Sequence, residues 1–308
     1  MSKVTLEDVK RLRDITSAGM MDCKKALAET SGDFDAAVDW LRKKGIAKAS
    51  KKAGRVAAEG LVAVCVEDCS GVVVEVNSET DFVSRNDVFQ SFVREIAKIA
   101  LTVNADMEAL KNATFTGESH NVETQLTNLI AKIGENISLR RSEMLTVNKG
   151  VVGSYIHNAV TTDVGKIAVL VGLESEASQE ALFPIAKQIA MHIAAAKPEA
   201  LSIEAVSVEK LEREKQVLAE QARASGKSED IIEKMMQGRL RKYYEEVVLL
   251  EQLFVLDGET KISKFLENKS KELGSEIKIK GYLSYVLGEG IEKKESDFAS
   301  EVAATLGQ

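Results

Sequence analysis

Proline is almost absent from this 308-residue chain, which has only Pro184 and Pro198, so its helices can run uninterrupted. Cysteine is sparse and odd in number. Cys23, Cys65 and Cys69 do not make a disulfide framework, and a reducing cytoplasm fits them best. No apolar run approaches the ~18 residues that cross a bilayer. The opening MSKVTLEDVK lacks the continuous apolar stretch of a secretory signal, so neither membrane insertion nor export is expected. A net charge of −7 argues against general coating of nucleic acid, while leaving room for one local basic patch. With 44% hydrophobic and 29% charged residues, global disorder is excluded.

Catalytic patterns are missing too. Gly226-Lys227-Ser228 ends like a phosphate loop, but Gln221 stands where the first glycine is required, and a charged helix precedes it instead of a buried strand. Gly288-Glu289-Gly290 begins a dinucleotide fingerprint that Lys293 breaks at the third glycine. Both are read as turns. His120, His157 and His192 lie far apart without zinc-ligand spacing. His192, among Ile189, Ile193 and alanines, reads as a packed helix residue, and the cysteines read as structural. No serine sits in a G-x-S-x-G elbow. An enzyme is disfavoured, and no cofactor or metal site is expected.

What is present is regular patterning. Residues 1–55 predict three short helices around a small core. Thr5 with Asp8 opens the first, Asp22 caps the second, and Asp33 caps a third that stops at Gly45. Residues 42–55, with seven basic and no acidic residues, read as a mobile basic linker. LVAVCV (61–66) and VVVEV (72–76) flank a turn and predict a hairpin, followed by helices near 87–102 and 121–134 and a strand starting ISLRR. The order then recurs. Two strands lie within 150–174, and IAMHIA echoes IAKIA with Ile189 lying 93 positions after Ile96. GSEIKI echoes GENISL with Ile277 lying 140 after Ile137, so the second copy carries an insertion of 47 residues. That insertion predicts an antiparallel helical hairpin, with Val208, Leu211, Val217, Leu218 and Ala222 as seam positions on its first helix and a second helix, 229–250, that carries Ile231, Ile232, Met235, Met236, Leu240, Tyr243 and Val247. A final helix is expected in IEKKESDFASEVAATLG.

Two features exceed what a core requires. Gly19-Met20-Met21 puts two adaptable thioethers at a helix start, where burial within the module competes with a protein-binding surface and is favoured by the residues alone. Thr80-Asp81-Phe82-Val83 sets an aromatic beside an acid between strand and helix. Either Phe82 is an exposed wedge or it tucks under the hairpin while Asp81 caps a turn. The second is slightly favoured by the residues alone.

These motifs, in order, resemble the bacterial elongation factor Ts family over essentially the whole length. They are the N-terminal module through AGMMDCKKAL, then NSETDFVSRND, IGENISLRR and LGEGIEKKESDF. The resemblance implies an α+β fold with a ubiquitin-associated-like three-helix module and basic linker (1–55) and two related core subdomains with antiparallel sheets (56–149; 150–204 with 251–288). An inserted coiled-coil hairpin (205–250) and a C-terminal helical module (289–308) complete it. It implies a cytoplasmic guanine nucleotide exchange factor for elongation factor Tu, with no cofactor of its own, no stable nucleic acid partner and no membrane. A homodimer or a 2:2 complex stays open. By the same resemblance Thr80, Asp81, Phe82 and Val83 act in dislocating the partner's magnesium, and Gly19, Met20, Met21 and His157 contact the partner. The turn after His157, NAVTTDVGK, is longer than in some members. The rival reading is an RNA- or ribosome-binding protein acting through the basic segment 42–55, against which stands the absence of aromatics among its lysines.

Overall fold

The Asp8 N–H donates to Thr5 Oγ1 at 3.1 Å and the Thr5 N–H donates to Asp8 Oδ2 at 3.0 Å, a reciprocal cap that starts α1 (Leu6–Thr16). The computed structural model describes residues 4–16, 18–223 and 229–292. Next come α2 (Met20–Glu29) and α3 (Phe34–Lys52), the latter capped by Asp33, whose carboxylate accepts the Ala36 N–H at 3.0 Å. Val9, Leu12, Cys23, Ala26, Leu27, Ala37 and Leu41 form the small core of these helices.

Three sequence expectations need correction here. Gly19, not Asp22, is the N-cap of α2, and Asp22 instead pairs with Lys44 at 2.7 Å. Gly45 does not stop α3. The helix runs seven residues further because Gly45 faces Ala131 and Thr127, and the packing of α3 on this neighbour offsets the ~1 kcal/mol that glycine costs inside a helix. The segment 42–55 is therefore helical through Lys52 rather than a mobile tether. Three of its cations are engaged within the protein: Lys44 with Asp22, Lys52 with the Gly134 carbonyl, and Arg55 with Glu79 at 3.2 Å.

The chain then enters β1 (Glu59–Glu67) and β2 (Ser70–Ser78), turning at Asp68 with φ +48°. After them come α4 (Asp87–Thr102), α5 (Met107–Asn112), α6 (Val122–Ile133) and β3 (Ile137–Thr146). The second half follows the same plan. It comprises β4 (Gly150–His157), the short β5 (Val164–Gly165), β6 (Ile167–Glu174) and α7 (Gln179–Ala196), then, past an inserted hairpin of α8 (Val208–Arg223) and α9 (Glu229–Val247), α10 (Ile262–Leu273) and β7 (Lys278–Val286). The sheets are antiparallel, in the orders β3-β2-β1-β5 and β4-β6-β7.

Strands apolar on both sides need cover on both sides. Val62, Val64 and Val73 of the first sheet meet Val152, Ala168, Leu170 and Tyr285 of the second, so the sheets stack face to face. The opposite face of the first, with Leu61, Val72, Val74 and Val76, is closed by Phe89, Phe92, Val93 and Ile96 of α4 together with α5 and α6. Ile185, Ile189 and Ile193 of α7, with Ile262 and Leu266 of α10, do the same for the second. The result is four layers, helix–sheet–sheet–helix. Gly60 (φ +119°) and Gly150 (φ +136°) hold equivalent places at the starts of β1 and β4. A Cβ there would lie 2.2 Å from the Val76 oxygen and 2.0 Å from the Leu173 oxygen respectively.

The insertion leaves the second half through a narrow stem: the Ala200 N–H donates to the Val247 carbonyl at 3.1 Å and the Leu249 N–H to the Ala200 carbonyl at 2.8 Å. Leu211 near the start of α8 packs with Tyr243 and Val247 at the end of α9, so the helices are antiparallel as expected. Val208 and Val217 are not seam residues, being 75% and 42% exposed. The expected final helix, Gly226-Lys227-Ser228 and the side chains of Leu218 and Ala222 lie outside the described residues; Gly288 and Gly290 are turn glycines with φ +71° and +74°.

Candidate partner-contact site

Between β2 and α4 the chain makes a short connection whose ends are fixed by caps. Asn86 accepts the Val88 and Phe89 N–H groups at 2.9 and 3.3 Å, starting α4. Within the connection, the Ser84 hydroxyl donates to the Asp81 carbonyl at 2.6 Å and Gln90 Nε2 donates to the Ser84 carbonyl at 2.9 Å. Val83 turns inward and is buried among Leu61, Phe89 and Val93. Its neighbour Phe82 turns outward and is 73% exposed. The expectation that Phe82 tucks under the hairpin is therefore overturned: Val83 already fills that space, and the single helical turn Val83–Arg85 sends the preceding side chain outward. Asp81 is exposed, 3.8 Å from Arg85, a pairing in solvent that holds its carboxylate only weakly.

Thr80 is held from below. Its N–H donates to Glu135 Oε2 at 2.9 Å and its hydroxyl to Glu135 Oε1 at 2.7 Å. Glu135 and Glu79 were not singled out in the sequence, where only the left-handed Gly134 (φ +87°) marks the turn that carries Glu135.

Gly19, Met20 and Met21 lie at the outer corner between α1 and α2. Met20 is 38% and Met21 76% exposed, so the expectation that the module buries them fails: its core is already filled by Leu12, Cys23 and Leu27. Gly19 also borders a cleft of about 870 Å³ between this module and α6, on whose wall stands Val88, six residues past Phe82. His157 stands apart, exposed at the end of β4, with Tyr155 Oη 3.2 Å from its Nδ1.

The other histidines are structural. Buried His192 accepts the Val255 N–H through Nδ1 at 3.3 Å, leaving Nε2–H to donate to Gln252 at 2.9 Å, and burial lowers its pKa. His120 hydrogen-bonds Gln125. Burial pushes the Cys23 and Cys65 thiols up. Among the described residues no group of three or more His, Cys, Asp or Glu side chains could hold a metal ion, and no helix is long and apolar enough to cross a membrane.

Fold and site define a class: an α+β protein of two stacked antiparallel sheets that carries an exposed aromatic beside an exposed carboxylate on a braced loop. The comparisons make the class specific. The chain belongs to the elongation factor Ts family, whose model, "Elongation factor TS", matches residues 79–289 and so begins at the connection that carries Phe82. It is 57% identical over 307 residues to elongation factor Ts of Rhodospirillum centenum, with all of both chains covered. It is 59% identical to that of Rhodospirillum rubrum, with 99% of each covered. With the factor of Paramagnetospirillum magneticum the identity is 58%, over 100% of this chain and 98% of that one.

Proposed function

We propose that the chain is a guanine nucleotide exchange factor for elongation factor Tu and that its exchange tip is Asp81-Phe82. A GTPase holds GDP through backbone and lysine contacts to the phosphates and through a magnesium ion that offsets their charge. Loosening the metal weakens the nucleotide. Phe82 enters an apolar crevice of the partner and displaces the elements beside it, and the Asp81 carboxylate then competes for the groups that support the metal. Thr80 and Val83 set the tip's direction. Met20 and Met21 anchor the N-terminal module on the partner and raise the local concentration of the tip, and His157 supplies a further contact.

The observation that carries this reading is the 73% exposure of Phe82 on a loop held on one side by Thr80, bonded to Glu135, and on the other by the buried Val83. An apolar ring held out in water costs free energy in the isolated protein, and a partner crevice recovers it. Coupling is reciprocal: if the factor weakens GDP binding, GDP weakens binding of the factor equally, so the factor speeds equilibration without setting its direction. The test is release of a fluorescent GDP from elongation factor Tu. The wild-type chain accelerates release and the variant Phe82→Ala with Asp81→Ala does not; full stimulation by that variant would refute the mechanism.

A further inference from the structure

We infer that Glu135 is a positioning residue for the exchange tip, an inference that rests on the reading of Phe82 as the wedge. Glu135 sits on the turn from α6 into β3 and touches the tip's root from 55 residues away. One oxygen accepts the Thr80 N–H at 2.9 Å and the other the Thr80 hydroxyl at 2.7 Å. The relation is returned. Glu79 Oε1 accepts the Asn136 N–H at 2.5 Å. Two adjacent residues of the loop thus clasp two adjacent residues of the turn, each side giving a carboxylate and receiving an amide.

The clasp also holds the end of α3. Asn136 Nδ2 donates to the Arg55 carbonyl at 2.7 Å, Lys52 donates to the Gly134 carbonyl, and Arg55 pairs with Glu79. Every bond in it except Asn136 to Arg55 and Lys52 to Gly134 has a carboxylate acceptor, the stronger kind of hydrogen bond. Its position is what gives it a role. Thr80 immediately precedes Asp81 and Phe82, so fixing its N–H and hydroxyl fixes the direction in which the chain leaves β2. A tip ordered in advance meets the partner without a further ordering cost at the moment of binding.

The test measures the rate of GDP release from elongation factor Tu at saturating factor, with the full-length chain. Glu135→Ala lowers that rate about tenfold, the scale of losing a charge-assisted pair that preorganises a contact. Glu135→Gln keeps one acceptor for the Thr80 N–H and offers an amide to its hydroxyl, so it recovers most of the rate, and its urea midpoint controls for folding. Amide hydrogen exchange at Asp81 and Phe82 of the free protein quickens in Glu135→Ala. In the background of Phe82→Ala with Asp81→Ala, Glu135→Ala costs nothing further, since a residue acting through the tip has no effect once the tip is gone. If Phe82→Ala slows release but Glu135→Ala does not, or if the losses multiply in that background, the positioning role is refuted. If Phe82→Ala itself releases GDP at the wild-type rate, the wedge reading falls and takes the role of Glu135 with it.

Discussion

Arg140 and Lys280 occupy the same place in the two halves of the molecule. Arg140 is the extra residue where the β2–β3 register shifts opposite Glu75 and Val76, and Lys280 is the extra residue where the β6–β7 register shifts opposite Gly172 and Leu173. The bulge is duplicated, but its chemistry is not. Lys280 stands exposed with Gly172 beneath the bulge, whereas Arg140 Nη1 donates at 2.9 Å to Glu75, a carboxylate with no exposure. Glu75 Oε2 accepts Arg141 Nε at 2.6 Å, and Oε1 also accepts the Gly288 N–H at 2.8 Å and Asn77 Nδ2 at 3.0 Å. Arg141 in turn covers the Tyr285 ring, 4.0 Å from its centroid. The first half thus uses its bulge to fasten the chain that follows β7.

Removing Glu75 takes the buried carboxylate from two guanidinium groups, which keep the Glu289 carbonyl for Arg140 and the Val286 carbonyl and the Glu289 carboxylate for Arg141. The Arg140 and Arg141 side chains keep 26% and 30% exposure, so water relieves part of the loss, and Glu75→Ala costs about 3 kcal/mol, the low end for breaking a buried pair. The fall in urea midpoint measures it. Burial raises the pKa of Glu75, but the bonds from Gly288, Asn77, Arg141 and Arg140 outweigh it and the net shift is downward. A lowered carboxylate pKa gives stability that is complete above the unfolded value, near 4.5, and is lost as pH falls below it.

His192 sets a second, higher window. Its pKa is lowered by burial, with the Gln252 hydrogen bond acting the other way, so the unfolded state binds the proton more readily. The stability linked to His192 is full above pH about 6.5 and declines as pH falls through that value. Urea midpoints taken between pH 7.5 and 5.5 should decline for the wild-type chain. In His192→Gln the decline should flatten while the Glu75 window below 4.5 persists.

Phe82 and Phe89 are seven residues apart and should respond in opposite ways. Phe89 has no exposure and packs among the first sheet and α4, so Phe89→Ala costs about 3–5 kcal/mol. Phe82→Ala should change stability by no more than about 0.5 kcal/mol, as expected for an exposed side chain. Chemical denaturation of the two variants separates them, and a large loss in Phe82→Ala would mean that the ring packs against this chain in solution.

Gly150 is held by geometry alone. At φ +136° an added Cβ would come within 2.0 Å of the Leu173 oxygen, which belongs to backbone and cannot swing aside. Gly150→Ala should destabilise by at least about 1–3 kcal/mol, the range for forced backbone conformations. Gly54→Ala, where a Cβ meets nothing within 4 Å, is the control in the same thermal melts.

Local chemistry made much of this molecule legible before the structure. Asp33 caps the helix it precedes, the helix expected near 121–134 is present as Val122–Ile133, and the 140-residue repeat reappears as Arg140 and Lys280 in matching bulges. The misreadings share one cause: the deciding partner lies elsewhere in the chain. Asp22 looks like a cap until Lys44 is beside it, and Gly45 looks like a stop until Ala131 and Thr127 pack on it. At the site, sequence could name Phe82 but not its direction, because Val83 occupies the interior position that either residue could fill. Glu135 had no local signal at all, since both of its bonds reach 55 residues back to Thr80.

Anchor and wedge should separate in kinetics. Met20 and Met21 are exposed at the corner of a three-helix unit with its own core, so replacing both with Ser should leave stability within about 0.5 kcal/mol of wild type. If the pair serves only to hold the factor near its partner, its loss raises the concentration of factor needed for half-maximal GDP release while the rate at saturation stays close to wild type. Phe82→Ala should do the reverse, depressing the saturating rate with less effect on the half-maximal concentration, because a group that acts on the bound partner matters after the complex has formed. Titrating each variant against GDP-loaded elongation factor Tu reads both parameters at once. A fall in the saturating rate for the methionine variant would show that the N-terminal module takes part in expelling the nucleotide, and the division of labour between corner and tip would be wrong.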